Sequence, residues 1–312
     1  MLKLFRSIFH DTESSGRYPK SLVDEAIERA VDGTDPWLRG ITGYRRKLRP
    51  AVLTAIDHVV NLVDGLAPPR PATRDGFAHD PLLQAMFLSA GQMLQLLHCL
   101  LQAQAVAGNT VCALLIMDLE QRGIFGADLH GETLVRDVPQ VTVSFANHRL
   151  LDPCSEESET RRLLKRRAFD HLLSLALHRM VTTREVRKDL DNRQTLLRAK
   201  LDILQNGNWG FNHGTPQHPD MLAELEKQLT QNEAQLQLVG SDDRSLEVAM
   251  QLLVDVLGQP QRHLWAGHKQ LVVDRMGIKR ATASEMAPNL QLEQLYNAEG
   301  QSVVVTLVMI GP

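Results

Sequence analysis

Two runs of basic residues are the features of this sequence best suited to binding chemistry. The first contains Arg45, Arg46 and Arg49, and the second contains Arg161 and Arg162. Guanidinium groups bind phosphate and carboxylate groups through paired hydrogen bonds, so these runs suggest a site for a phosphate or another acidic ligand. Both runs also lie in predicted helices beside acidic residues, and this arrangement favours a solvated, charge-paired helix face.

Metal-binding and catalytic motifs give weaker signals. His213, His218 and Asp220 share one short segment, but their spacing matches no compact metal-binding motif and no fourth ligand is near in sequence. Solvated loop histidines explain them better. The sequence contains no phosphate-binding glycine loop, zinc-protease motif or serine-nucleophile motif. We therefore predict no metal, no cofactor and no catalytic residue, and we favour a protein that is not an enzyme.

Periodic leucines predict a helical hairpin between residues 184 and 239. Each of two segments has residues spaced alternately by three and four, as in the seam of a coiled coil. The first seam has Leu190, Gln194, Leu197, Leu201 and Leu204, and the second has Leu222, Leu225, Leu229, Asn232 and Leu236. If the chain folds back between them, every leucine meets a leucine and Gln194 meets Asn232. Two separate helices that pack on the globular core are the alternative.

The connection between these two segments carries Trp209 and Phe211. Aromatic residues are only 4% of the chain, and a slender hairpin buries little surface at its tip. Exposed aromatic rings on such a loop are good anchors for a partner protein. Alternatively, both rings fold back and cover the open end of the coiled coil.

The remaining chain predicts an α+β fold that is mainly helical. Asp35-Pro36 and Asp80-Pro81 are typical helix starts, and Pro50 is expected to open another helix. Alternating residues around 141–145 indicate a strand, as does the apolar run 111–119. Glycine and proline at 123–126 and 138–139 suggest tight turns, and thus a meander of three or four short strands. Segments 269–280, 290–296 and 303–310 are predicted to add C-terminal strands to this antiparallel sheet.

The predicted organisation has three parts. Residues 1–110 form a helical N-terminal part, and residues 111–183 with 240–312 form an α+β core. The hairpin arm, 184–239, is inserted in that core and is expected to protrude from it.

Composition limits the kinds of partner. The net charge of −3 argues against a nucleic-acid-binding protein, which usually has a basic excess. Three cysteines without a CxxC pair fit a reducing compartment, so a cytoplasmic location is expected. Residues 1–10 have Leu2, Phe5, Ile8 and Phe9 on one helical side, which allows weak contact with a membrane surface. Docking of this segment on the protein itself or on a second copy is favoured.

Together these features predict a non-catalytic protein-protein interaction or scaffold protein whose partner is unknown. The arm and the aromatic tip would be its contact surface, and self-association through the arm is a variant of the same interpretation. Two alternatives remain at this point. One is an enzyme or phosphate-ligand-binding protein with a site between sheet and helices, and the other is a peripheral membrane-associated protein.

Overall fold

Helices form most of residues 20–102 and 157–258, and the long strands lie between these two helical regions and at the C-terminus. A computed structural model describes residues 17–102, 110–130, 133–206, 219–239 and 245–311. The helices are α1 (Lys20–Asp32), α2 (Tyr44–Asp64), α3 (Arg74–His79), α4 (Pro81–Met86), α5 (Ala90–Gln102), α6 (Glu157–Asn206), α7 (Pro219–Val239) and α8 (Ser245–Gly258). The strands are β1 (Arg70–Pro71), β2 (Val111–His130), β3 (Thr133–Cys154), β4 (Leu264–Val272), β5 (Asn289–Asn297) and β6 (Ser302–Ile310). The fold is α+β and mainly helical, as predicted.

The strands form one sheet in the order β3-β2-β6-β5-β4. Neighbours along this order are antiparallel, and the short β1 pairs with β6 in parallel. The link between the two halves of the sheet is the pairing of β2 with β6, from Val111 opposite Ile310 to Met117 opposite Val304. The predicted joining of the central and C-terminal strands in one sheet is therefore confirmed.

The central strands are longer than predicted. The expected turns at 123–126 and 138–139 are wrong, because these residues lie inside β2 and β3, and Phe125 is directly opposite Pro139. Gly123 is directly opposite Val141, and the space beside its Cα is open. Two residues beyond Pro139, the carbonyl oxygen of Val141 accepts from Lys279 on the side away from β2. In a strand, residues two apart direct their backbone groups to the same side. Residue 139 therefore faces the outer edge, as Val141 does, and the missing N–H of Pro139 removes no hydrogen bond between β2 and β3.

The first C-terminal strand is also displaced from its predicted place. β4 begins at Leu264 and ends at Val272, whereas the sequence pattern suggested 269–280. The chain turns directly after β4, with Gly277 at a φ of 76°. Glycine adopts this left-handed conformation without the steric cost that a side chain adds.

Alternation along the strands produces two apolar faces on the sheet. One face includes Leu115, Leu292 and Val304, and it packs with buried residues of α4 and α5 such as Leu83 and Leu97. The other face includes Leu114 and Leu307, and it packs with Val63 of α2, Leu66 and Leu164 of α6. Because successive strand residues point to opposite faces, the strands place apolar side chains on both faces of the sheet, and apolar helix residues pack against each face.

The chain divides into two compact units, and two of the boundaries between them fall within the long helices α2 and α6. The first contains the described parts of Met1–Leu53 and Asp170–Gly258, and the second contains those of Thr54–Phe169 and Gln259–Pro312. In the first unit, Arg29 of α1 forms a two-bond ion pair with Asp170 of α6, with nitrogen–oxygen distances of 2.6 and 2.5 Å. Its fully buried large side chains include Ile27, Leu38, Leu48, Leu172, Met180, Leu253 and Leu257.

Two of the predicted helix starts are confirmed and one is wrong. The Asp35 carboxylate accepts a hydrogen bond from the N–H of Trp37 at 3.0 Å at the start of a short 3₁₀ helix, Pro36–Gly40, and the Asp80 carboxylate accepts from Leu82 at 2.9 Å at the start of α4. Pro50 does not open a helix, since it lies inside α2. The buried residues on both sides of this proline, Leu48 and Val52 among them, favour continuation of the helix despite the missing N–H.

Candidate interaction site

Residues 183–204 of α6 and 221–237 of α7 show burial at heptad spacing. We call residues 184–206 and 219–239 the arm. The residues of α6 between 183 and 204 that are not exposed are Thr183, Arg187, Leu190, Gln194, Leu197, Leu201 and Leu204. Those of α7 between 221 and 237 are Leu222, Leu225, Gln228, Leu229, Asn232, Glu233 and Leu236. The predicted seam residues are thus among the least exposed of the arm.

Polar side chains join the two helices of the arm. The Asn232 amide nitrogen donates to the carbonyl oxygen of Leu190 at 2.9 Å. Glu233 accepts from Gln194 at 3.2 Å and from Arg198 at 3.1 Å. Gln194 and Asn232, which the sequence pattern places opposite each other, therefore take different partners. The antiparallel coiled coil over the full length of the arm stays a prediction.

Asn232 is the polar residue buried most deeply in the arm. Its side chain is 3% exposed, and its Oδ1 atom has no hydrogen-bond partner within the described structure. A buried carbonyl group without a partner costs about 1–3 kcal/mol. Asn232 therefore destabilises the arm. A polar residue at a seam position fixes the register between two paired helices, and this is the benefit that its position indicates.

We expect Asn232→Leu to raise the free energy of unfolding by about 1–2 kcal/mol, because the unpaired carbonyl is replaced by an apolar group. Urea unfolding followed by circular dichroism measures the change. Asn192→Leu, at an exposed position of α6, is the matched control and should leave stability unchanged. A loss of stability in Asn232→Leu would contradict this interpretation of the arm.

One side of the arm is exposed and apolar. Leu196 is 63% exposed and Ile203 is 68% exposed, and they lie seven residues apart on the same side of α6. Two helical turns separate them by about 10 Å. In the heptad they lie outside the seam, so pairing of α6 with α7 does not cover them. We call Leu196 and Ile203, with the Ala199 position between them, the apolar stripe.

Basic residues flank the apolar stripe. Arg193 and Lys200 each precede an exposed apolar residue by three positions, which makes them its neighbours on the helix surface. Both are exposed, and neither forms an ion pair with any described residue. By contrast, Arg198 on another side of the helix is paired with Glu233. The stripe therefore combines apolar surface with positive charge that the described chain leaves unneutralised.

The tip of the arm lies outside the described residues. This applies to Trp209 and Phe211, the predicted partner-binding residues, and to His213 and His218. Residues 1–10, the predicted membrane-surface segment, also lie outside the described residues. The predictions for these segments stay as they are.

The five arginines of the phosphate-binding interpretation fall in two groups. Arg45, Arg46 and Arg49 are neighbours on α2 in the first unit, and Arg161 and Arg162 lie in the second turn of α6 in the second unit. Arg45 pairs with Glu28 at 2.8 Å, and Arg49 pairs with Asp24 at 3.6 Å, while Arg46 is exposed. Arg162 pairs with Glu159. A phosphate site at these arginines stays a prediction.

Arg161 has a clear structural role in the second unit. Its guanidinium donates to the carbonyl oxygens of Val63 at 2.6 Å, Leu66 at 3.2 Å and Ala67 at 3.3 Å. Its Nε atom donates to Glu157 at 2.7 Å. Carbonyl groups at a helix C-terminus lack partners within the helix, so Arg161 caps the end of α2.

Glu28 collects hydrogen bonds from three side chains of the first unit. Tyr44 donates to it at 2.7 Å, Arg39 at 2.9 Å and Arg45 at 2.9 Å. Burial by itself raises the pKa of Glu28, but these hydrogen bonds outweigh burial and lower the pKa from its ordinary value of 4.5. A lowered pKa means that the folded state favours the ionised carboxylate.

This predicts a pH-dependent effect of Glu28→Gln. The ionised carboxylate stabilises the fold fully above the unfolded pKa, and this contribution is lost as pH falls through the lower folded pKa. Wild type should therefore be more stable than Glu28→Gln at about pH 7, and the difference should shrink at about pH 3.5. Urea unfolding of both proteins at the two pH values measures it. An equal difference in unfolding free energy at both pH values would show that ionisation of Glu28 does not contribute to the stability of the fold.

The thiols of the central strands are not activated as nucleophiles. Cys112 and Cys154 are directly opposite each other in β2 and β3, and both are free. Burial raises the pKa of both thiols above the ordinary value of 9.0. Thiols with raised pKa values are protonated at neutral pH and react slowly.

Comparison of the chain with protein-family models, with curated proteins and with solved structures finds no match. In the described ranges, no three His, Cys, Asp or Glu side chains are grouped so that they hold a metal ion. None of the helices traced in those ranges has the length and apolarity that are needed to cross a membrane. The arguments for function therefore rest on the arm and on the surfaces of the two units.

Proposed function

We propose that this protein is a non-catalytic interaction or scaffold protein of the cytoplasm that binds a partner protein through its arm. In this proposal α6 and α7 form an antiparallel coiled-coil hairpin, and the partner contacts its apolar stripe and its aromatic tip. The cytoplasmic location rests on the cysteine content. The observation that carries the function is the exposure of Leu196 and Ile203 beside Arg193 and Lys200, which have no ion pair with any residue that the structure describes.

The stripe also indicates the chemistry of the partner. Two exposed apolar side chains gain free energy when a partner removes them from water. Unpaired cations beside them favour carboxylates at the rim of the partner surface, where complementary charge increases the association rate and specificity. We therefore propose a partner protein that presents an apolar patch with acidic residues around it. A second copy of this chain is the alternative ligand of the stripe, and the experiment must distinguish it from a partner protein.

The test compares partner binding by three forms of the full chain. Wild type, Leu196→Glu/Ile203→Glu and Thr230→Glu/Gln237→Glu are used for affinity capture from native lysate, and a captured protein is then purified and titrated directly. The third form is a matched control, since it adds the same two charges, also seven residues apart, at exposed positions of α7 outside the seam and away from the stripe. Trp209→Ser/Phe211→Ser tests the tip separately.

The proposal predicts that wild type and control bind the partner with the same affinity. The stripe variant should bind about a hundredfold more weakly, as expected for the loss of two central apolar contacts. Equal binding by the stripe variant would reject the arm as the contact surface. If wild type self-associates in light scattering and the stripe variant does not, the occupant is a second copy.

A further inference from the structure

A cavity of about 710 Å³ opens in the second unit between β3 and the segment that follows β4. One wall is formed by Val138–Val141 of β3, and the other by residues between Asp274 and Ala287. The volume lies within the range of about 300–1,000 Å³ that is usual for small-molecule sites. None of the residues in the notable basic runs of the sequence contributes to it.

The segment after β4 is held in a defined shape by its own hydrogen bonds. The Asp274 carboxylate accepts from the N–H groups of Met276 and Ile278, each at 2.9 Å, and from Arg280 at 2.9 Å. Two backbone hydrogen bonds attach the segment to β3, from Val143 to Gly277 at 2.7 Å and from Lys279 to Val141 at 2.8 Å. This wall of the cavity is therefore held in place by the hydrogen bonds to Asp274 and by the backbone hydrogen bonds to β3.

The cavity carries unbalanced positive charge. Arg275, Lys279 and Arg280 line it, and Asp274 is the carboxylate among the lining residues. Asp274 already pairs with Arg280 at 2.9 Å. Arg275 and Lys279 are exposed, and neither has an ion pair with any residue for which the structure gives a position. Two net positive charges thus face the cavity, and they balance the charge of about −2 that a phosphate monoester carries at neutral pH.

The other lining groups favour an organic rather than an inorganic anion. The hydroxyl groups of Thr282 and Ser284 offer hydrogen bonds to phosphate oxygens. Met276 is 82% exposed and Met286 is 72% exposed, so both leave a large apolar surface in water at the rim. Methionine side chains adapt their shape to different apolar ligands.

We propose that this cavity binds a small organic phosphate, with the phosphate group between Arg275 and Lys279 and an apolar moiety against Met276 and Met286. This site goes beyond the interaction function and is independent of the arm. Arginine binds phosphate through its planar fork, and lysine adds a compact charge. The methionines then favour an organic phosphate over free inorganic phosphate.

The test uses phenyl phosphate as the probe, with inorganic phosphate and benzyl alcohol as comparison compounds. Binding to the full chain is followed by titration in ¹H–¹⁵N NMR spectra. Arg275→Glu/Lys279→Glu removes the charge match, and Met286→Gln removes part of the apolar surface. Arg74→Glu/Arg262→Glu is the control, because it reverses two exposed cations of the same unit that do not line the cavity.

Phenyl phosphate is expected to bind wild type and the control equally, and to bind Arg275→Glu/Lys279→Glu at least about tenfold more weakly. Met286→Gln should weaken phenyl phosphate but not inorganic phosphate. The proposal fails if phenyl phosphate does not bind wild type at millimolar concentration, or if the charge-reversed protein binds it equally well. Benzyl alcohol that binds as tightly as phenyl phosphate would overturn the anion site.

Discussion

Leu197→Lys is expected to separate α6 from α7 and to abolish partner binding, while the second unit remains folded. Leu197 is 5% exposed, so lysine at this position would bring an unpaired charge into the seam. Burial of such a charge costs about 3 kcal/mol or more, which exceeds what a two-helix arm is expected to withstand. Hydrogen exchange should therefore become about a hundredfold faster in residues 184–206 and 219–239.

The adjacent Leu196 supplies the matched control. It is 63% exposed, so Leu196→Lys changes the same residue type on the same helix without entering the seam. This variant should keep normal hydrogen exchange in the arm, yet it should bind the partner more weakly because the stripe is altered. If Leu197→Lys leaves exchange of the arm unchanged, α6 and α7 do not pair through the predicted seam.

Arg161→Met is expected to lower the free energy of unfolding by about 2–4 kcal/mol, the second large effect. The side chain is 16% exposed and binds three carbonyl oxygens and the Glu157 carboxylate. Methionine keeps much of the apolar volume but removes the donors to Leu66 and Ala67, and it leaves Val63 with the bond of 3.3 Å from the N–H of Leu66. Urea unfolding of the second unit, followed by hydrogen exchange in 264–310, measures the loss.

Arg46→Met is the control for Arg161→Met. Arg46 is exposed on α2, and substitutions at such positions usually change stability by less than about 0.5 kcal/mol. A small effect of Arg161→Met, equal to that of Arg46→Met, would show that the cap of α2 contributes little. It would also leave Arg161 available for the ligand-binding interpretation of the basic runs.

Features with a short repeat could be predicted from the sequence. The heptad spacing of Leu190, Leu197 and Leu204 indicates the buried side of α6, because a helix returns to the same side every seven residues. The Asp-Pro pairs at 35–36 and 80–81 mark helix starts through local capping geometry. Each of these signals depends only on neighbours within one or two helical turns.

Features set by distant pairing could not be predicted in the same way. Gly123 and Pro139 are typical turn residues, but they lie within a long two-stranded ribbon because β2 and β3 pair with each other along their length. Similarly, β4 ends at Val272 because its pairing with β5 ends there, opposite Asn289. Strand length is decided by partners far away in sequence, and local residue preferences give way to them.

The candidate sites show the same distinction. The basic runs at 45–49 and 161–162 attract attention in the sequence, yet Arg45 and Arg161 have carboxylate and carbonyl partners in the folded chain. Arg275 and Lys279 lie four residues apart without forming a continuous basic run, and only the attachment of their segment to β3 forms the cavity that they line. The sequence signal available is Gly277, a typical turn residue that lies between the two cations in a segment whose pattern suggested a strand.

The most direct test of the interaction function is hydrogen exchange of wild type with and without its captured partner. We expect the partner to slow exchange in residues 193–206, while exchange in 264–310 stays the same. We also expect Leu196→Glu/Ile203→Glu to remove this protection and Thr230→Glu/Gln237→Glu to retain it. Protection that appears only outside the arm would contradict the proposed function.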